Sequence, residues 1–183
     1  DVCSSDLSVS LGGPKARMRI RAESPADGAA IHAVTERAFD GAPHADGSEP
    51  RIVRALRDAA ALAVSLVAEV DGAVVGHVAI SAVTVTDGSA GWYGLGPIAV
   101  EPARQGQGIG SRLVRCALDR LTELGAAGCV VVGDPAYCGR FGFAVRQGLV
   151  YPGVPAEYFM ALPFGASTPQ AEVAYHAAFT SAL

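Results

Sequence analysis

Lysine is almost absent from this chain: Lys15 stands alone, and every other cation is an arginine. Alanine and glycine are abundant, a pattern of base-composition bias that strips alanine richness of its usual weight as a helix signal. No run of basic residues interleaved with aromatics is present and the formal net charge is −4. The electrostatic footprint of a nucleic-acid binder is therefore missing. The four cysteines, Cys3, Cys116, Cys129 and Cys138, include no CxxC pair. No histidines stand at matching spacing, so no metal site is expected, and the thiols read as reduced in a cytoplasmic protein. The most apolar stretch, residues 59–70, is interrupted by Ser65 and Glu69 and is too short to span a bilayer, so no membrane role is expected. The opening DVCSSDL has neither the basic nor the apolar region of a signal peptide and resembles a translated sequencing adapter. Residues 1–17 are accordingly expected to be a non-native or disordered leader, with the natural start at Met18.

What remains is ample for one domain. With 183 residues, half of them apolar, the chain suits a single α/β-sized unit with a genuine core. That domain is assigned to residues 18–164, with a C-terminal extension, 165–183, packing on it. MRIRA at 18–22 alternates as a half-buried strand does. Ser24, Pro25 and Asp27 form a helix start, followed by Ile31, Val34 and Ala38 at helical spacing. A polar loop over 40–47 leads to a second helix over 49–58, with Ile52, Val53 and Leu56 on one face. Asp71-Gly72 joins two β-rich runs, 63–70 and 73–83, as an antiparallel hairpin. A third run, 92–100, precedes a glycine-rich segment and a helix over 111–124 whose Leu113, Val114, Ala117, Leu118, Leu121 and Leu124 form one stripe closed by Gly125. The wholly apolar strand 129–132, buried on both faces, makes this a parallel crossover. Residues 134–141 read as a turn or short helix, 143–150 and 158–162 as late strands, 163–170 as a loop, and the tail as weakly patterned.

Chemistry concentrates in Arg104-Gln105-Gly106-Gln107-Gly108-Ile109-Gly110, between a strand and an amphipathic helix. Residues without side chains let an anion reach the backbone there, and the first unpaired N–H groups and the helix dipole bind it. A Walker loop is excluded because Gly-Lys-Ser/Thr is absent. A dinucleotide fingerprint is approximated by Gly106, Gly108 and Ser111 with Asp134 after the next strand. Five residues, including Pro102, separate Val100 from Gly106, however, and the preceding strands read as antiparallel. A dinucleotide-dependent oxidoreductase stands as the second reading.

The segment resembles the acyl-CoA signature of the GCN5-related N-acetyltransferases (GNAT), Q/R-x-x-G-x-G/A, through Gln105, Gly108 and Gly110. Residues 95–100 look like that family's fourth strand and 133–143 like its segment after the fifth. The latter string, with YHAAF at 175–179, is most similar to the YhbS-like branch. The resemblance implies an α/β fold of mixed type, with a central, mostly antiparallel sheet, one parallel crossover and flanking helices. It implies acetyl-CoA as cosubstrate and no metal, with Ile98, Ala99 and Val100 pairing the pantetheine as an added strand. Gln105, Gly106, Gln107, Gly108, Ile109, Gly110 and Ser111 would wrap the pyrophosphate, and a β-bulge would part the two strands. It further implies transfer of the acetyl group to a primary amine by direct attack on the thioester, the acceptor being a small molecule or a protein amine, in a monomer or homodimer. The family's proton-donating tyrosine falls at Cys138, with Tyr137 one residue earlier, and both are alternative donors. No base is assigned. Glu69 and Glu101 read as solvated charges, His77 as a sheet residue, and His44 with Asp40 and Asp46 as a loop that could contact the acceptor. A non-catalytic acyl-CoA-binding regulatory module is the alternative in which the same loop binds without turnover.

Overall fold

A computed structural model of the chain describes residues 7–9, 16–165 and 167–181. Of the leader, Leu7–Val9 forms a short strand, β1, paired antiparallel to the start of β2 (Ala16–Ala22) at Leu7↔Met18. Residues 1–6 and 10–15 lie outside the described residues. The helix start at Ser24 holds: its N–H and hydroxyl both donate to the Asp27 carboxylate, at 2.6 and 3.0 Å. A 3-10 turn leads into α1 (Gly28–Phe39) and then α2 (Glu49–Asp58). Asp71 and Gly72, at φ 49° and 83°, occupy the left-handed region that a two-residue hairpin needs, and turn β3 (Leu62–Val70) into β4 (Ala73–Ala82).

The strands β5 (Thr84–Val85) and β6 (Trp92–Val100) follow. Next comes α3, which runs Ile109–Glu123 and so starts directly after Gly108, two residues earlier than the apolar stripe suggested. Then come β7 (Gly128–Val132), α4 (Pro135–Cys138), β8 (Phe159–Pro163), β9 (Val173–Ala174) and α5 (Ala178–Ser181). The main sheet is seven-stranded in the order β1-β2-β3-β4-β6-β7-β8, and β5 pairs with β9 in a second one. The β6–β7 pair is parallel and its neighbours are antiparallel, which is the expected mixed sheet. A doubly wound dinucleotide fold needs a parallel sheet, so the topology gives the second reading no footing.

Strand alternation sends side chains to two cores. On one face α3 presses Leu113, Val114, Ala117 and Leu121 against Leu66, Val78, Ile80, Leu95 and Val131. On the other, α1 and α2 cover Val67 with Ile31 and Val53, while Trp92, Val130 and Phe159 form a cluster with Tyr151 and Tyr175. Ile52 and Leu56 of α2 hold Ala178 and Phe179, docking the tail there.

Three expectations need correction. Residues 143–150 are no strand: they touch the sheets through single bridges, Ala144↔Ala161 and Val150↔Glu172, because Gly142 and Gly148, at φ 95° and 87°, bend the chain out of extended geometry. Leu124 has left the stripe. It follows the last helical turn and is 59% exposed. Val132 is half exposed rather than buried on both faces, since β7 ends there at the edge of a cleft.

Candidate active site

The β6–β7 ladder covers Trp92–Leu95 against Gly128–Val131 and stops. On the other side β6 stays paired to β4, but with a bulge: Val78 faces Ile98 whereas Ile80 faces Leu95. The extra residue falls at Gly96-Pro97, and proline has no N–H to donate to a ladder. Past Leu95 the strands therefore part, and the backbone edge of Ile98–Val100 that faces away from β4 is left open. A cleft of about 970 Å³ occupies the gap and passes through the plane of the sheet. Gly106, Gly108, Gly110, Ser111, Tyr137 and Cys138 line it on the α3 face, while Ile52, Tyr151, Tyr175 and Phe179 line it on the α1/α2 face.

At the α3 end the loop is built for an anion. Gly106 and Gly108 stand at φ 76° and 83°, and a Cβ on either would point into open space. Among the described residues no backbone N–H from Gly106 to Ser111 finds an acceptor. Those of Gly106, Gly108, Ile109, Gly110 and Ser111 belong to cleft-lining residues at the start of a fifteen-residue helix, an arrangement that suits the pyrophosphate of a nucleotide cosubstrate. Arg104 and Arg140 add cationic charge to the same wall. The Arg140 guanidinium is held 4.4 Å over the Tyr137 ring, which restricts where that charge can go.

The residues named from the sequence take different positions. Ile98, Val100, Gln105, Gly106, Gly108, Ile109, Gly110 and Ser111 line the cleft. Ala99 and Gln107 do not: the Ala99 side chain is buried in the sheet, leaving only its backbone at the edge, and the Gln107 side chain is exposed. Gln105 closes the loop rather than reaching outward, its Nε2 donating to the Val100 carbonyl at 3.1 Å. The Tyr137 hydroxyl lies over the first turn of α3, 3.0 Å from where a Cβ on Gly110 would be. Cys138 Sγ lies against Gly133, just beyond β7, at 3.1 Å from the equivalent point. Burial, with the Asp134 carboxylate adding to it, pushes that thiol up to about 11, so it keeps its proton at neutral pH.

The acidic residues considered as bases are bound up in ion pairs. Glu69 joins Arg19 and Arg21, and Glu101 makes a two-pronged contact with Arg37 at 2.7 and 3.0 Å. Neither lines the cleft. His77 is buried within β4, its Nε2 2.8 Å from the Ser65 hydroxyl. That hydroxyl donates to Glu23 at 2.6 Å, so it must accept from His77, which fixes the proton on Nε2 and leaves Nδ1 buried without a partner. Burial is the main force lowering His77, and it stays neutral. His44 lines the cleft with a left-handed backbone, φ 65°, and Asp46 beside it accepts from the Ser48 N–H at 2.8 Å. Asp40 is not in the wall.

The cleft residues that escaped the sequence reading include Arg104, Arg140, Glu49 and Tyr175. The arginines stood inside recognised strings, where their charge was the available signal. Glu49 reads as an ordinary first-turn helix acid, and Tyr175 lies in a tail without periodicity.

Comparisons with known proteins agree with this geometry. The family model described as the Acetyltransferase (GNAT) family matches residues 30–141. The Escherichia coli K12 protein named "Uncharacterized N-acetyltransferase YhbS" is 41% identical over 127 residues, covering 69% of this chain and 73% of its own. A GNAT family acetyltransferase from Brucella melitensis, solved in complex with acetyl-CoA, superposes with a TM-score of 0.80 at 50% identity over 88% of this chain and 97% of that one. The E. coli YhbS structure, in complex with CoA, gives 0.83 at 35% identity over 92% and 94%. An open strand edge, a helix start stripped of side chains and these relatives converge: the chain belongs to the GNAT family of N-acetyltransferases.

Proposed function

We propose that this enzyme moves an acetyl group from acetyl-CoA to the nitrogen of a primary amine by direct attack, without a covalent acyl-enzyme. The observation that carries the reading is the parting of β6 and β7 beside the unpaired N–H groups at the start of α3, which supplies a strand-like seat for a pantetheine arm and a pyrophosphate site at its end. Bound acetyl-CoA supplies the thioester. The residues do the rest: the edge of Ile98–Val100 orients the arm, Gly106–Ser111 hold the diphosphate, and Arg104 and Arg140 offset its charge. When the amine nitrogen bonds to the carbonyl carbon the C–S bond breaks, the nitrogen releases one proton to solvent as it becomes an amide, and the departing sulfur needs a proton.

Of the two donors considered, the positions favour Cys138. Its Sγ lies by Gly133, at the end of the strand whose Val131 faces Leu95 where the ladder stops, whereas the Tyr137 hydroxyl lies over Gly110 at the phosphate end. Cys138 protonates the sulfur, and Tyr137 contacts the diphosphate region. A residue that donates in the rate-governing step acts on kcat, and one that only holds the ligand acts on affinity.

Calorimetry with acetyl-CoA, followed by thiol release in the presence of amines, tests the whole reading. Acetyl-CoA is expected to bind and thiol release to require an amine; no heat with acetyl-CoA sinks the proposal, and binding without turnover favours a regulatory module. Cys138→Ala is expected to lower kcat with acetyl-CoA affinity intact, and Tyr137→Phe to weaken affinity with kcat nearly intact. The reverse pattern transfers the donor role to Tyr137.

A further inference from the structure

Two residues that line the cleft on the α1/α2 face, Glu49 and Tyr175, each carry a buried polar atom, Oε2 and the hydroxyl, with no hydrogen-bond partner among the described residues. They belong to segments far apart in the chain, yet the packing ties them to one wall. Glu49 opens α2, and one turn on, Ile52 packs with Phe179. Phe179 meets Tyr175 edge to face, ring centroids 5.0 Å apart. Tyr175 lies flat over Gly94, where a Cβ would be 2.5 Å from its Cε1. Gly94 immediately precedes Leu95, the last residue paired to β7, so Tyr175 stands where the strands part.

A buried polar atom without a partner is destabilising, and such atoms survive where a ligand completes them. The carboxylate is the more telling of the two, because the other partly buried acids, Glu23, Asp27, Glu69 and Glu101, are matched with arginines. Nearby, Asp46 is already turned back to its own loop. Phe39, Ile52, Tyr151 and Phe179 give the cleft lining its apolar area, beside the polar His44, Asp46 and Ser48.

We propose that Glu49 and Tyr175 form the receiving site for the acceptor, and that the acceptor is a small monoamine carried on a flat apolar body. Glu49 Oε2 holds the incoming ammonium and takes one proton from it, freeing the nitrogen lone pair. The Tyr175 oxygen accepts a second N–H and turns that lone pair toward the gap between β6 and β7. Burial raises the Tyr175 phenol well above its ordinary value, so it stays neutral across the working pH range and the proton acceptor is Glu49. A polyamine would bring a second cation, and the other carboxylates lining the cleft, Asp46 and Asp134, already accept the Ser48 and Ala136 N–H groups, which is why a single charge on an aromatic or apolar frame fits better.

The inference rests on the acetyl-transfer reading above, and its test keeps the two apart. Protein saturated with CoA is titrated calorimetrically with 2-phenylethylamine, and turnover is compared for 2-phenylethylamine, spermidine and a lysine-containing peptide. 2-Phenylethylamine is expected to bind and to be the best of the three by kcat/KM. Glu49→Gln should weaken its binding at least tenfold and regain turnover as pH rises and the free amine itself supplies the lone pair. Tyr175→Phe should raise the KM for the amine several-fold while raising the Tm of the apo protein, because an unpartnered hydroxyl is gone. Acetyl-CoA affinity is expected to be unchanged in both. Failure of the wild type to bind acetyl-CoA defeats the acetyl-transfer reading. Normal acetyl-CoA binding with no 2-phenylethylamine binding, with binding indifferent to Glu49, or with spermidine or the peptide preferred, overturns the receiving site alone.

Discussion

Replacing Gly108 by alanine and by glutamate separates the stability of the phosphate loop from its affinity, and the two should move in opposite orders. Gly108 precedes α3 at φ 83°, ψ 5°, and a Cβ there meets nothing within 4 Å. The damage in Gly108→Ala is therefore conformational, about 1–2 kcal/mol for an L-residue held in the left-handed region. For a chain of this size that is about 2–8 °C in Tm. Gly108→Glu carries the same strain but adds a carboxylate at the N-terminus of a long helix, which returns about 0.3–1 kcal/mol. The apo glutamate variant should thus unfold no lower than the alanine variant. With ligand the order inverts. A carboxylate about 4 Å from a phosphate oxygen is repelled by about 4 kcal/mol at an effective dielectric constant of ~20, close to a ~1,000-fold loss in affinity. Thermal unfolding of the apo proteins and calorimetry with acetyl-CoA measure both orders. A glutamate variant that binds acetyl-CoA within threefold of the wild type would refute the assignment of the pyrophosphate to this loop.

Two further outcomes follow from packing and charge elsewhere. In Gly128→Ala the new Cβ would sit 2.5 Å from two ring atoms of the buried Trp92, so overpacking should lower stability by about 1–3 kcal/mol; an unchanged Tm would show that the ring can move aside. The Arg21 hydrogen bonds hold Asp27 well below the usual carboxylate range. At Glu23 burial opposes the charge, but Arg57, with His77 and Ser65 beside it, overrules burial and lowers it too. Both folded-state values are depressed, so their stabilisation is complete above the unfolded carboxylate range, near pH ~4, and is lost as pH falls further. Urea midpoints against pH should show this acid limb, shallower in Asp27→Asn; identical slopes in the two proteins would remove Asp27 from the account.

Where the sequence reading succeeded, the determinants were local. The Asp71-Gly72 turn needs only its own two residues to tolerate positive φ, and α2 matches its expected bounds because Ile52, Val53 and Leu56 form one buried face within it. The parallel crossover followed from the alternation of strand, helix and strand. Failure came where distant partners decide. The apolar residues between 143 and 150 resemble a strand, but two glycines and the lack of a neighbouring edge leave them single bridges. Leu124 keeps the apolar spacing after the helix that would bury it has ended. At the site, the glycine loop before α3 was legible because its features lie in consecutive residues. The opposite wall was not, since Glu49, Tyr151 and Tyr175 meet only through tertiary packing, and the tail that brings Tyr175 is positioned by contacts with α2 and by His176 Nδ1 accepting from the Ala178 N–H at 3.0 Å.

The early end of the β6–β7 ladder has a thermodynamic consequence as well as a spatial one. A sheet with a gap in its middle is unfinished, and whatever binds along Ile98–Val100 makes hydrogen bonds that no neighbouring strand makes. Such a ligand binds the folded chain and not the unfolded one, so mass action couples its concentration to folding. At a hundredfold excess over Kd the gain is about 2.7 kcal/mol, or about 5–11 °C of Tm. The metabolite pool that feeds the reaction would then also govern how much of the enzyme survives in its folded form.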